Sequence, residues 1–111
     1  MADTLISKAI TTSNNNAIPM LDVGSWATTV LSFTVCNNQA SGVITFDVYI
    51  DDGNSGSSAN YYYIYTDVSL PAMSTFEHSD KIIINTGDEL NLQCSSNSGQ
   101  VEAVTSALKQ T

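Results

Sequence analysis

The chain of 111 residues carries a net charge of −8, with three lysines, no arginine and only 13% charged residues. Binding to nucleic acid or to an anionic membrane depends on Lys and Arg, so this composition argues against both kinds of partner. Soluble domains usually contain about 25% charged residues. Their replacement here by Ser, Thr, Asn and Gln predicts a hydrogen-bonding surface suited to packing against other protein copies.

Apolar and polar residues alternate with a period of two along most of the chain, a pattern typical of half-buried antiparallel strands. No stretch reads as a helix. The alternation predicts eight strands, near 4–12, 26–36, 43–50, 60–69, 74–77, 81–85, 89–94 and 100–108. Turn-forming clusters separate them, so we expect an all-β fold, an antiparallel β-sandwich of seven or eight strands that is jelly-roll-like or Ig-like.

The same alternation assigns the side chains of three strands to the core. The inward residues are predicted to be Leu31, Phe33 and Val35, then Ile44, Phe46, Val48 and Ile50, and finally Leu90, Leu92 and Cys94. Their neighbours, among them Thr45, Asp47 and Tyr49, are predicted to point outward.

Residues 1–16 are predicted to form an N-terminal strand or arm used in assembly, followed by a single sandwich domain over 17–111. The segment 11–16 is rich in Asn, Ser and Thr and could lie extended across a neighbouring subunit. We therefore expect a chain that lacks residues 1–16 to fold but not to assemble. Ile6 and Ile10 are candidate interface residues, as is Trp26, which is also expected to cover one end of the core. The N-terminus lacks the pattern of a signal peptide, so we expect a protein made in a cytosol.

Four of the five tyrosines fall in the stretch "YYYIY". On a regular strand Tyr61, Tyr63 and Tyr65 share one face, and Tyr62 and Ile64 share the other. Tyrosine has an apolar ring and a polar tip, which suits interfaces. Packing against neighbouring side chains of a hairpin explains the cluster equally well, and both interpretations stay open.

The acidic stretch before these tyrosines is a candidate calcium loop, because Asp47, Asp51, Asp52 and Asn54 offer oxygen ligands. An EF-hand that starts at Asp51 needs an oxygen ligand at its third position and Glu at its twelfth, where this chain has Gly53 and Tyr62. We therefore expect the tip of a hairpin and no metal site.

The only histidine, His78, lies between Glu77 and Asp80. A catalytic triad needs a base, an orienting carboxylate and a nucleophile within reach of one another, and no nucleophile motif accompanies His78. We expect a solvated turn histidine and, because no other catalytic or cofactor motif is present, a protein that is not an enzyme and binds no cofactor.

Cys36 and Cys94 have no spacing that suggests a zinc site. Alternation places Cys94 inward and Cys36 outward, which favours two free thiols. A disulfide between the sheets, as in Ig domains, remains the alternative if a bulge turns Cys36.

Two long stretches carry a resemblance to a known family. "VLSFTVCNNQASGVITFDVYIDD" and "YYYIYTDVSLPAMSTFEHSDKIIINTGDELNLQCSSNSGQVEAVTSAL" together resemble small β-sandwich virion proteins of tailed bacteriophages, especially those of marine and cyanobacterial phages. The shared elements are a strand that ends in "VCN", a "VSLPA-ST" turn, an apolar strand leading to "GDEL" and a last strand ending in "SAL". The resemblance covers about residues 28–108.

This resemblance implies a non-enzymatic structural protein of a virion that is assembled in host cytoplasm. Such proteins decorate or cement the capsid, or belong to the neck, tail or baseplate, and usually form trimers or higher rings. The expected partners are therefore a major capsid or tail protein and further copies of the chain. A second hypothesis is a fibre or tail module that binds carbohydrate or the host surface through Tyr61, Tyr63 and Tyr65 with Asp51 and Asp52. A third is an adhesin-like or Ig-like module.

Overall fold

The computed structural model describes residues 3–22, 26–52, 60–94 and 100–110. Within these ranges the regular structure consists of strands, and no helix is present that could cross a membrane. The nine strands are β1 (Asp3–Thr12), β2 (Ile18–Asp22), β3 (Thr28–Asn37), β4 (Ile44–Asp51), β5 (Tyr61–Leu70), β6 (Ser74–His78), β7 (Ile82–Ile84), β8 (Glu89–Cys94) and β9 (Val101–Gln110).

The strands form two antiparallel sheets. The first has the order β1-β9-β3-β6, with β7 also paired to β3, and the second has the order β2-β8-β4-β5. Because β6 pairs with one half of β3 and β7 with the other, the two act as one interrupted strand. Each sheet is then effectively four strands wide, and the chain crosses repeatedly between them, which is the architecture of a jelly roll. The predicted fold class is confirmed.

The sequence predicts eight of the nine strands and misses β2. It is short, it contains Pro19, and its register with β8 shifts between Pro19 and Leu21. As a result Met20 and Leu21 are adjacent and both buried, so the alternation that identifies a strand is broken there.

The core fills the space between the inner faces of the sheets. Its largest completely buried side chains are Phe33, Phe46, Met20, Ile84, Leu90 and Leu92. The inward prediction is wrong for Leu31, because a bulge in β3 shifts the register between Val30 and Ser32. A bulge sets two residues opposite one, so Val30 is buried in the core and Leu31 is only half-buried.

A buried polar residue ties the loops at one end of the sandwich together. Asn37 is completely buried, and its amide nitrogen donates hydrogen bonds to the carbonyl oxygens of Gly42 and Leu70 at 3.1 and 3.0 Å. Its amide oxygen accepts hydrogen bonds from the backbone and side-chain nitrogens of Gln39. The side chain is therefore fully paired, as a buried amide needs to be.

The segment predicted as an N-terminal arm contains β1, and β1 is a full member of the first sheet. It pairs with β9 from Asp3 opposite Gln110 to Thr12 opposite Val101 without a register shift. Ile6 and Ile10 pack against the core cluster. Residues 3–12 thus form an edge strand of the sandwich, as the predicted strand near 4–12 requires.

Candidate functional site

Three tyrosines cluster on the outer face of the second sheet, and we call Tyr49, Tyr61 and Tyr63 the tyrosine surface. In the β4–β5 pair, Tyr63 lies opposite Tyr49, and Tyr61 lies opposite Asp51. The ring centroids of Tyr61 and Tyr63 are 4.6 and 5.1 Å from that of Tyr49. Tyr49 is therefore only 2% exposed although it points away from the core, while Tyr61 and Tyr63 are 47% and 51% exposed. Prediction from alternation alone missed this burial of Tyr49.

The surroundings of Tyr49 disfavour the ionised phenolate. Burial, followed by the neighbouring Tyr61 and Tyr63 and by Asp51 and Asp47, raises the pKa of Tyr49 to about 12. The hydroxyl therefore stays protonated at physiological pH. Neutral phenols beside carboxylates form a surface that stacks against apolar rings and exchanges hydrogen bonds with polar groups.

Amide and carboxylate side chains flank the tyrosine surface on the neighbouring strand. In the β4–β8 pair, Asn91 is opposite Tyr49 and Glu89 is opposite Asp51. Because these two carboxylates lie side by side, this end of the face is acidic. An acidic aromatic surface of this kind suits a ligand rich in hydroxyl groups or a partner with positive charge.

Tyr65 does not belong to this surface, which corrects the predicted grouping with Tyr61 and Tyr63. The β4–β5 pair has two register shifts, and between them Tyr65 lies opposite the inward-facing Val48. Its ring is packed against the core cluster and meets Phe76 edge-on at 4.9 Å between centroids. The bulges, not the alternation, determine which way this ring points.

His78 is buried, which contradicts the prediction of a solvated turn residue. It is 8% exposed and stacks on Phe33 with centroids 4.8 Å apart and planes at 12°. Its Nε2 is 2.7 Å from the carbonyl oxygen of Asp80. Because a carbonyl oxygen only accepts, Nε2 donates there, and in the neutral ring Nδ1 accepts from the Tyr65 hydroxyl at 2.8 Å. Both ring nitrogens thus serve the fold, which leaves neither free to move a substrate proton.

The acidic stretch joins the paired strands β4 and β5. The backbone nitrogen of Asp52 donates to the carbonyl oxygen of Asn60 at 3.2 Å, and the Asn60 amide donates to the Asp52 carboxylate at 3.1 Å. The predicted tip, including Gly53 and Asn54, lies outside the described residues. In the ranges that are described, no group of three or more His, Cys, Asp or Glu side chains could hold a metal ion.

Cys36 and Cys94 are not joined by a disulfide, and Cys94 is buried whereas Cys36 is half-buried. This outcome agrees with the alternation of their strands. Cys94 belongs to the core cluster, whereas Cys36 lies opposite Glu102 on β9.

The remaining interface candidates are scattered over the molecule. Trp26 precedes β3 and is 45% exposed, so it covers the core less completely than expected. Ile6 and Ile10 lie in the first sheet and pack inward. The structure therefore brings together only Tyr61 and Tyr63 of the predicted set and adds Tyr49 to them.

The outer face of the first sheet carries a cross-strand row of three apolar residues and one threonine, which we call the apolar row. Cross-strand pairing aligns Leu5 with Leu108, Leu108 with Thr29, and Thr29 with Ile83. Leu5 and Ile83 are 73% and 66% exposed. A groove of about 290 Å³ lies next to the row, lined by Leu5, Ile6, Ser7, Leu31, Ser106 and Ala107. Leu108 and Thr29 between them are half-buried. Exposed apolar side chains that share one sheet face are a candidate contact surface.

The fold is shared with viral capsid proteins. No protein-family model matches this sequence, and no characterised protein matches it by sequence comparison. Among solved structures, the chain is similar to one from the infectious bursal disease virus T13 particle, with a TM-score of 0.58 and 10% identity over 96% of this chain and 31% of that one. For the Gx strain of that virus the TM-score is 0.56 and the identity 12%, over 98% of this chain and 33% of that one.

A phage capsid gives a likeness along nearly the whole of both chains. The capsid structure of Helicobacter pylori bacteriophage KHP30 matches with a TM-score of 0.52 and 15% identity, over 98% of this chain and 87% of that one. In contrast, this chain spans about a third of the length of the infectious bursal disease virus chains. At these identities the likeness establishes the jelly-roll fold.

Proposed function

We propose that this chain is a non-enzymatic structural protein of a virion, assembled in host cytoplasm. The observation that carries the proposal is a jelly roll that matches a bacteriophage capsid chain over 98% of this chain and 87% of that one. The site geometry supports it, because the only histidine is tied into the core by Tyr65 and Asp80.

The specific role we propose is a decoration or cement subunit on the outside of a tailed-phage shell, of the marine or cyanobacterial type. A net charge of −8 repels packaged DNA, which favours the outer side of a shell. The apolar row from Leu5 to Ile83 offers a flat contact face for a major capsid protein. We expect a homo-oligomer, with a trimer as the state that the family resemblance favours.

The experiment that tests this role is sedimentation and electron microscopy of the purified chain, together with electron microscopy of phage particles labelled with an antibody against it. A decoration subunit forms small oligomers but no closed shells on its own, and it labels heads rather than tails. Labelling of tails, or of no part of the particle, would contradict the decoration role. Flanking genes for a capsid protein and its protease would add independent support.

A second candidate function is a carbohydrate-binding or host-surface-binding module at the neck, tail, baseplate or fibre. The observation that favours it is the tyrosine surface, where two half-exposed rings stand beside Asp51 on one open sheet face. Aromatic rings with adjacent carboxylates suit sugar recognition, because the ring stacks on the sugar face and the oxygens accept its hydroxyl protons.

A glycan screen separates the two candidates. A binding module binds a glycan and loses it on Tyr63→Ala, whereas Tyr62→Ala has no effect because Tyr62, although 57% exposed, lies outside the tyrosine surface. A decoration protein binds no glycan in either form. Binding that survives Tyr63→Ala would place a sugar site elsewhere.

A further inference from the structure

We propose that the free edge of β1 is a self-association site, at which two copies of the chain pair their β1 strands antiparallel across a twofold axis centred on Ser7. This contact is between copies of the chain, so it stands whether or not the protein belongs to a virion. It follows from the condition of the sheet edges, from the charge of the strands and from the symmetry of antiparallel pairing.

Three of the four sheet edges are protected against pairing. Strand β2 is five residues long, contains Pro19 and has a register shift. Strand β5 has two register shifts, and Asp67 there adopts φ 50°, outside the extended region. The remaining edge is divided between β6 and β7, which are separated by residues 79–81. Short strands, prolines and bulges are the features that prevent edge-to-edge pairing.

The fourth edge, β1, lacks these features. It is ten residues long, contains no proline and pairs with β9 without a register shift. Its backbone groups on the side away from β9 form a regular row of donors and acceptors that a further strand can extend. The edge therefore offers the longest uninterrupted stretch for pairing on the described part of the molecule.

Charge selects a second copy as the partner of this edge. Strand β1 contains one acidic residue, Asp3, and one lysine, Lys8, so its net charge is zero. Strands β2, β5 and β6 each carry one carboxylate and no lysine, and β7, which carries no charge, is only three residues long. Two copies that each carry −8 repel one another least when they approach along β1.

Symmetry then determines the register. In an antiparallel pair, residues directly opposite one another point to the same face. A twofold axis perpendicular to the sheet also keeps each residue on its own face. The residue at the axis must therefore lie opposite its own copy, and not opposite a sequence neighbour. For a strand from Asp3 to Thr12, the longest such pairings are centred on Ser7 or on Lys8. An axis at Lys8 would set two ammonium groups opposite one another, which is unfavourable. The axis therefore falls at Ser7.

This register also pairs the side chains well. Leu5, which is 73% exposed, lies opposite Ala9 of the second copy, and the apolar row continues across the new junction. Ile6 lies opposite Lys8 of the second copy, whose aliphatic stem covers it. The groove lined by Leu5 and Ser7 then lies next to the contact. The second copy would cover Leu5, which accounts for a leucine at this otherwise exposed edge position.

Disulfide trapping tests the proposal directly. Directly opposite Cα atoms in an antiparallel pair are about 4.5–5.5 Å apart, within the range that a disulfide bridges. We expect Ser7→Cys, in a Cys36→Ser background, to form a covalent dimer rapidly under mild oxidation. The matched control is Ser69→Cys, which is likewise exposed on an edge strand but belongs to β5. Crosslinking of Ser7→Cys no faster than that of Ser69→Cys would overturn the proposal.

A charge variant gives an independent measurement. We expect Ser7→Lys to shift the chain from dimer to monomer in light scattering, because it sets two lysines opposite one another, while Ser69→Lys leaves the dimer unchanged. Ser7 and Ser69 are both exposed, so we expect both lysine variants to fold. Circular dichroism of each variant checks this. A wild-type chain that is monomeric or trimeric, or a dimer that is insensitive to Ser7→Lys, would refute the twofold contact. A trimer or an insensitive dimer would leave the virion role intact, whereas a monomer would also contradict the homo-oligomer expected for that role.

Discussion

Whether β1 is part of the core or a detachable arm is decided by truncating Ile10. Ile10 packs against the core cluster from the edge strand and is half-buried. Truncation of a fully buried Ile to Ala costs about 2–5 kcal/mol, so a half-buried Ile should lose roughly half of that. We therefore expect Ile10→Ala to lower the free energy of unfolding by about 1–2 kcal/mol.

The matched control is Leu5→Ala on the same strand. Leu5 is 73% exposed, so its truncation should change the free energy of unfolding by no more than about 0.5 kcal/mol. Urea denaturation followed by circular dichroism measures both values. With a slope of about 2 kcal/mol per molar urea, the Ile10→Ala midpoint should fall by roughly 0.5–1 M. The measurement is made at a chain concentration low enough for the monomer to dominate.

Equal midpoints for Ile10→Ala and Leu5→Ala would refute the reasoning, because they would show that β1 adds nothing to the core. A chain without residues 1–16 would then fold normally, as expected of an arm. If instead Ile10→Ala is destabilised as calculated, β1 contributes to the core, and deletion of residues 1–16 removes both that contribution and the pairing partner of β9. Failure of such a chain to assemble would then report loss of folding and not loss of a contact.

Three further predictions concern buried polar groups. Asn37→Ala should lower the free energy of unfolding by about 2–4 kcal/mol, because two carbonyl oxygens lose their donors. Tyr65→Phe should lower it by about 1–3 kcal/mol, because the ring nitrogen of His78 loses the hydroxyl at 2.8 Å. Tyr49, whose folded pKa of about 12 exceeds the ordinary value of 10.0, should contribute stability that is complete below pH 10 and is lost as the pH rises towards 12. Alkaline unfolding at constant urea measures this loss of stability.

Each of these predictions has a control in the same chain. Asn38→Ala removes an exposed amide next to Asn37 and should be neutral. Tyr63→Phe removes the hydroxyl of a half-exposed ring and should cost much less than Tyr65→Phe; equal losses would mean that the bond to His78 adds no stability. A stability profile of Tyr49→Phe that falls between pH 10 and 12 as steeply as the wild type would exclude Tyr49 as its source.

Alternation predicted the strands well because a two-layered sandwich buries one face of each strand, and a period of two records which face. It failed where the backbone departs from that period. Two single-residue bulges in β5 cancel one another, so Tyr62 and Val68 at either side keep their expected faces, whereas Tyr65 between them is turned toward the core. Asp67 is the one sequence signal for this irregularity, because Asp tolerates the positive φ that it adopts there.

The candidate sites were less predictable because they depend on contacts between distant strands. Tyr49 is buried by Tyr61 and Tyr63, which lie across a hairpin whose register the sequence does not specify. His78 is buried because Phe33, from another strand, stacks on it. Tyr49 occupies a position that alternation assigns to the surface, and tertiary packing overrides that pattern. His78 lies two residues after the inward-facing Phe76, so alternation agrees with its burial once β6 extends as far as His78.

The proposed β1 contact and the two sheet faces together give the dimer two different sides. A twofold axis perpendicular to the first sheet keeps the faces of both copies in the same orientation, so the sheet continues from one copy into the other. The apolar rows that contain Leu5 and Ile83 then lie on one side. The tyrosine surfaces, each with Asp51 and Glu89 nearby, lie on the other. Such a plate can bind flat to a shell through its apolar side and present its acidic tyrosines outward. The two proposed roles therefore depend on opposite sides of the molecule, so substitutions in the apolar row test the decoration role and substitutions in the tyrosine surface test the ligand-binding role.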